Sequence, residues 1–94
     1  MKRFDWHDEK NEQLKRERGI SFEEIVLAIE NGSILDTINH PNKKRYPNQS
    51  ILVVNISMYA YLVPFVEDEE KVFLKTIIPS RKATKKYLIE RKVK

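Results

Sequence analysis

The sequence predicts an α+β domain made of a short N-terminal strand, two helices, an antiparallel β-meander and a C-terminal helix. Three observations carry this. Within SFEEIVLAIENG, residues 21–32, Phe22, Ile25, Val26 and Ile29 fall in an i, i+3, i+4, i+7 stripe, the mark of a helix with one apolar face. Three runs rich in β-branched and aromatic residues follow, Ile51 to Ile56, Tyr59 to Val66 and Val72 to Ile78. The links between them, Ser57-Met58 and the acidic Glu67-Asp68-Glu69-Glu70, are short enough for hairpins.

A chain of 94 residues and 11.2 kDa buries too little surface for two cores, so residues 1–94 are expected to form one domain, frayed after about residue 90. No apolar run approaches the roughly 18 to 20 residues that span a bilayer, which sets membrane partners aside. Cysteine is absent, which excludes a disulfide framework, a thiolate nucleophile and cysteine-ligated zinc. The opening MKRFDWHDEK turns acidic after two basic residues and has no apolar region of the kind a secretory signal carries. The expected place of action is the cytoplasm.

The elements follow in order. Phe4 and Trp6 flank Asp5 and put two aromatics on one face of a short strand. Asp8 is expected to cap a helix that runs to Arg18 on strong helix formers, with Leu14 nearly its only apolar residue. Gly19 ends it. Ser21 and Glu24 have the spacing of a capping box, and Asn31-Gly32 supplies the stop of the second helix. Residues 33–38, SILDTI, read as a strand, and the Pro41 and Pro47 of NHPNKKRYPNQ make the next stretch a loop. Pro64 lacks a ladder donor and belongs at a bulge or a non-bonded position. Pro79-Ser80 closes the last strand, and Ser80 caps a helix with Ala83/Tyr87 and Thr84/Leu88 at i, i+4. Helices placed before a meander cover one sheet face, leaving the other to the last helix, a partner or a ligand.

Charge is concentrated. The net +4 of the chain conceals a C-terminal block in which Arg81, Lys82, Lys85, Lys86, Arg91, Lys92 and Lys94 stand against Glu90 alone, while residues 1–79 are net acidic. Lys43, Lys44 and Arg45 form a second cluster, and together these are a footprint for a polyanion such as nucleic acid. Two glycines and the absence of a GxxxxGK motif exclude a phosphate-cradling loop. His7-Asp8 and the acidic turn are the sole candidates for a metal, and no metal or other cofactor is expected. What remains is a cationic set at the strand-to-helix junction, Lys75, Arg81, Lys82, Lys85 and Lys86, with Tyr87 beside it. A positioned Arg81 suits RNA cleavage by the 2′-hydroxyl, in which charge accumulates on the non-bridging phosphate oxygens. The first turn of a helix would add its own attraction for the anion. His7, Tyr87 or a lysine would move the protons.

These same residues resemble the BrnT-type toxins of toxin–antitoxin modules. FDWHDEKNEQLKRERGISFEE is similar to the F-x-W-D-x-x-K opening of that family, with its Gly, branched residue and S-F-E-E. LKTIIPSRKATKKY is similar to its I-I-S-A-R-x-A-T strand-to-helix junction. The departures are His7 where the family usually has Asp, Glu17-Arg18 where it often has Lys-His, and Pro79 before the Ser-Arg pair. The resemblance implies a RelE-like fold and a metal-independent mRNA endoribonuclease that arrests translation. It also implies a cognate antitoxin that covers the basic surface and binds operator DNA with the toxin.

The leading reading is therefore a ribonuclease toxin in which Arg81 and Lys75 bind the scissile phosphate and His7 or Tyr87 moves protons. Lys82, Lys85, Lys86, Lys43, Lys44 and Arg45 hold the RNA. The alternatives are a nucleic-acid-binding module without turnover, which the altered His7 and Glu17-Arg18 positions permit, and a protein-interaction domain whose lysines serve solubility.

Overall fold

The structure, a computed structural model, describes residues 2–90. The frayed end expected after residue 90 lies outside the described residues. Strand β1 (Arg3–Trp6) leads into helix α1 (Asp8–Arg18). The cap is His7 and not Asp8: His7 is still extended (φ −87°, ψ 123°) and its side chain makes no cap bond, so Asp8 becomes the first helical residue. With Glu9 it lies where the helix dipole favours acids, as Lys15, Arg16 and Arg18 lie where it favours bases at the other end. Gly19 closes α1 at φ 64°, a conformation that glycine adopts without the steric cost a Cβ would bring.

Helix α2 (Phe22–Glu30) begins with the complete capping box: Ser21 Oγ accepts from Glu24 N, and the Glu24 carboxylate accepts from Ser21 N. The two helices are joined by a residue that the periodicity did not single out. Asn11 is buried on the polar α1; its Oδ1 accepts from Phe22 N at 2.8 Å and its Nδ2 donates to Glu23 Oε1 at 2.8 Å. That bond, first among the causes, holds the Glu23 carboxyl below the usual carboxylate range.

The sheet contains β2 (Ile34–Asn39), β3 (Gln49–Ile56), β4 (Tyr59–Glu67), β5 (Lys71–Leu74) and β6 (Ile78–Pro79) besides β1. Its order is β1-β5-β4-β3-β2, with β6 also on β4. The meander β2 to β5 is antiparallel as expected, but β1 joins β5 in parallel, Arg3 opposite Lys71 and Trp6 opposite Leu74, so the sheet is mixed. Ser57 and Met58 turn the β3–β4 hairpin with φ of 52° and 67°. Left-handed backbone costs ordinary residues about 1–2 kcal/mol each, and Asn55 offsets part of this by accepting from Met58 N.

The run Val72 to Ile78 is not one strand. Phe65 stands opposite Leu74 and Leu62 opposite Ile78, so Val63 and Pro64 face Lys75, Thr76 and Ile77, which is a bulge with one extra residue. Proline explains its place. In an antiparallel strand a residue's N–H and C=O point to the same neighbour. Pro64 C=O accepts from Lys75 N at 2.8 Å, so the donor that proline lacks would have faced the bulge.

Strand alternation sorts the core into two layers. Leu52, Val54, Val63, Phe65 and Leu74 point toward α1 and α2 and pack with Leu14, Ile20, Phe22, Ile25 and Ile77. Val53 and Ala60 point the other way and pack with Ala83 and Leu88. The last helix therefore covers the second face, as helix α3 (Arg81–Thr84) and a π-helical stretch, Lys85–Ile89. Its anchor is Thr84, buried, whose Oγ1 accepts from Ala60 N and donates to Ser80 O, both at 2.8 Å. The wider π turn lets Tyr87 and Leu88, adjacent in sequence, both reach the sheet.

Two stability measurements follow. Asn11→Ala strands the buried Phe22 N–H and is expected to lower the unfolding free energy by about 1–3 kcal/mol in urea titrations. Asp68 accepts from the backbone N–H groups of Lys71 and Glu70, which hold its pKa below the ordinary carboxylate value. A lowered pKa contributes stability above the unfolded carboxylate range that is lost as pH falls through the folded pKa. Asp68→Asn is thus expected to flatten the acid side of the stability profile, read as urea midpoints from neutral to strongly acidic pH.

Candidate nucleic-acid interface

The C-terminal helix is positioned from beneath by apolar contact and from its start by Ser80, whose Oγ accepts from Ala83 N. With Ala83, Thr84 and Leu88 turned into the protein, Arg81, Lys82, Lys85 and Lys86 are left exposed. Helical spacing compels this separation. None of the four forms an ion pair among the described residues, and Lys86 Nζ lies 5.2 Å from the centre of the Tyr87 ring. An outward row of unneutralised cations attracts a phosphate chain without any pocket. The α-helical part is only four residues long before the π stretch begins. The charges themselves, more than a helix dipole, supply the attraction at Arg81.

The structure separates the residues singled out from sequence into three groups. Arg81, Lys82, Lys85, Lys86 and Tyr87 share the C-terminal helix. His7 and Lys75 directly follow the last residues of the β1–β5 pair, Trp6 and Leu74, and both are exposed. Lys43, Lys44 and Arg45 lie in the β2–β3 loop at the opposite end of the sheet. Here Lys43 shares the lining of an open recess with Glu67, Asp68 and Glu69, and Arg45 stacks over Tyr46 at 5.6 Å. They do not extend the cationic row of the last helix.

Lys75 and Arg81 are also apart. Lys75 bonds Pro64 and Ser80 bonds Ala60, four residues along β4, a backbone separation of about 13 Å. They suit neighbouring phosphates better than one. Tyr87 donates its hydroxyl to Asp36 Oδ2 at 2.5 Å, which places it over β2. His7 follows β1, four strand spacings away, about 19 Å. His7 and Tyr87 thus cannot serve as acid and base on the same phosphate, since each must come within hydrogen-bond reach of its proton.

Residues with no sequence signature of their own hold this surface in place. Asp36 fixes Tyr87. Arg18, in the last turn of α1, donates from Nη1 to Ile77 O at 2.8 Å and ties the bulge to the first helix. A conspicuous apolar recess, about 920 Å³, lies elsewhere, between α2 and β1, lined by Phe4, Trp6, Val26, Ile29 and Val72. No group of three or more His, Asp or Glu side chains suited to a metal occurs among the described residues, and no described helix is long and apolar enough to cross a membrane.

No family model, curated protein or solved structure matches this chain.

Tyr87 provides the test of how this face is held. Tyr87→Phe removes the bond to Asp36 and is expected to lower stability by about 0.5–1.5 kcal/mol while leaving affinity for a single-stranded RNA unchanged. Fluorescence anisotropy and urea titration on one preparation separate the two effects.

Proposed function

We propose that this chain binds RNA through the exposed cations of its C-terminal helix and cleaves the bound strand without metal, as a cytoplasmic ribonuclease toxin with a RelE-like arrangement. The observation that supports it best is the row Arg81, Lys82, Lys85 and Lys86, exposed and free of ion pairs among the described residues, on a helix fixed to β4 through Thr84. A single strand laid along this row meets charge at intervals. Arg81 holds the scissile phosphate and stabilises the charge that builds on its non-bridging oxygens as the 2′-hydroxyl attacks. Lys82, Lys85 and Lys86 hold the phosphates around it. The resemblance of LKTIIPSRKATKKY to the junction of BrnT-type toxins is what favours cleavage over binding alone.

Proton transfer at a phosphate held by Arg81 falls to Tyr87, which shares its helix six residues on, a rise of about 9 Å, and not to His7, which follows the far edge strand β1. The engagement of the Tyr87 hydroxyl with Asp36 favours a second reading, in which the chain binds RNA without turnover.

Incubation with end-labelled mRNA in excess EDTA decides between the two. Cleavage is expected to give discrete products, with Arg81→Ala reducing the rate by about 100- to 1000-fold, the usual effect of losing one donor to developing oxyanion charge. Binding with no product selects the second reading, and no binding at low salt removes both. Replacing Lys82, Lys85 and Lys86 by Gln is expected to reduce the slope of log affinity against log salt by about 0.7 for each phosphate that is no longer neutralised. Replacing Lys43, Lys44 and Arg45 is expected to change it little.

A further inference from the structure

The end of the sheet where the C-terminal helix starts carries two tyrosines that the core does not use up. Tyr59 and Tyr61 alternate with Ala60 on β4, so both point to the face of α1 and α2, as Val63 and Phe65 do. Tyr61 rests against the rim of that core layer, Tyr59 belongs to neither buried cluster, and each keeps part of its surface in solvent. Their rings meet edge to face, 5.6 Å between centres and 64° between planes. Neither hydroxyl has a hydrogen-bond partner among the described residues.

The neighbouring β6 sets a cation at each end of the pair. Pro79 stands opposite Tyr61 and Ser80 N donates to Ala60 O, so the same register carries the chain to Arg81 beside Tyr59. Two residues before Pro79, Ile77 O accepts from Arg18 Nη1 at 2.8 Å, which holds a second guanidinium there. Neither arginine is in an ion pair among the described residues. Glu17, next to Arg18 in sequence, is engaged by Gln13 instead. Two partly open aromatic rings thus lie between two unneutralised guanidinium groups.

We propose that Tyr59 and Tyr61 form the stacking subsite for an unpaired base of the bound RNA, that of the nucleotide whose phosphate lies at Arg81; this rests on the RNA-binding reading above. The strand leaves the cationic row of the helix at Arg81 and turns over β6, which pairs with β4 alone. Its base then meets the tyrosines on the face of α1 and α2, and Arg18 meets a neighbouring phosphate. Every base has a flat π-face that aromatic side chains accept, and the flanking cations match the backbone. An apolar protein segment would match the rings and leave both arginines unanswered. Phosphate contacts are alike for every nucleotide, so the lysine row alone cannot fix which bond comes to Arg81. A place for one base does, and it selects single strands, whose bases are free to leave the stack.

The test uses 2′-O-methyl oligouridine, which lacks the hydroxyl needed for cleavage, and an abasic strand of the same length and backbone. Each is titrated against the full chain by fluorescence anisotropy over a range of salt. The expected result is tighter binding of the base-bearing strand. Tyr59→Leu keeps an apolar side chain and removes the ring; it is expected to weaken binding of that strand by about 5- to 100-fold and to leave the abasic strand as it was. The slope of log affinity against log salt stays unchanged, since no phosphate contact is lost. Tyr59→Phe is expected to bind as the unaltered chain does, and Tyr61→Leu to repeat the Tyr59→Leu result, with circular dichroism and urea midpoints verifying each fold. Equal binding of the two strands by the unaltered chain overturns the subsite and leaves the RNA-binding reading standing. So does a folded Tyr59→Leu that binds the base-bearing strand undiminished, or that loses both strands alike. Binding of neither strand at low salt removes the reading and the subsite together.

Discussion

Strand β4 must satisfy two opposite layers with alternate residues, and the rest of the molecule is arranged around that demand. Val63 and Phe65 serve the layer of α1 and α2, while Ala60 serves the C-terminal helix. The same strand pairs with β3, β5 and β6. A shift by one residue would exchange its faces, so the hairpin at Ser57-Met58 and the bulge opposite Pro64 both have to hold its register. The bond from Ala60 N to Thr84 Oγ1 shows how closely backbone and helix are matched at its start.

Much of this was legible because apolar spacing and cap chemistry act locally. The stripe in α2, its capping box, the stop at Gly19, the hairpin positions and the Ser80 cap all depend on residues within a turn of one another. What could not be read depends on distant partners. Nothing in the spacing of Asn11 indicates that its amide would meet Phe22 and Glu23. The parallel placement of β1 depends on pairing with β5, far along the chain, and the split of the last strand on how Pro64 sits against its neighbour.

The candidate site follows the same division. Placing the four cations on the outside of the last helix follows from Ala83, Thr84 and Leu88 pointing in, and sequence alone gives that. Grouping Lys43, Lys44 and Arg45 with them rested on charge without topology; the β2–β3 loop and the last helix stand at opposite ends of the strands. His7 and Tyr87 were interchangeable in sequence and are at opposite edges in space. Asp36 was hidden because an acid in a short strand has no pattern that reveals a tyrosine fifty-one residues later.

The β1–β5 pair has a consequence for how the chain is made. Arg3 finds its partner at Lys71, so the first strand synthesised is among the last to be paired. At about 5–20 residues per second, it leaves the ribosome several seconds before β5 exists. The β3–β4 hairpin, closed by two residues, needs no such wait, and low sequence separation makes it the fast contact. The edge strand can pair only once β5 is present. Until it does, Phe4 lacks the cross-strand neighbour that Val72 provides at the β1–β5 seam.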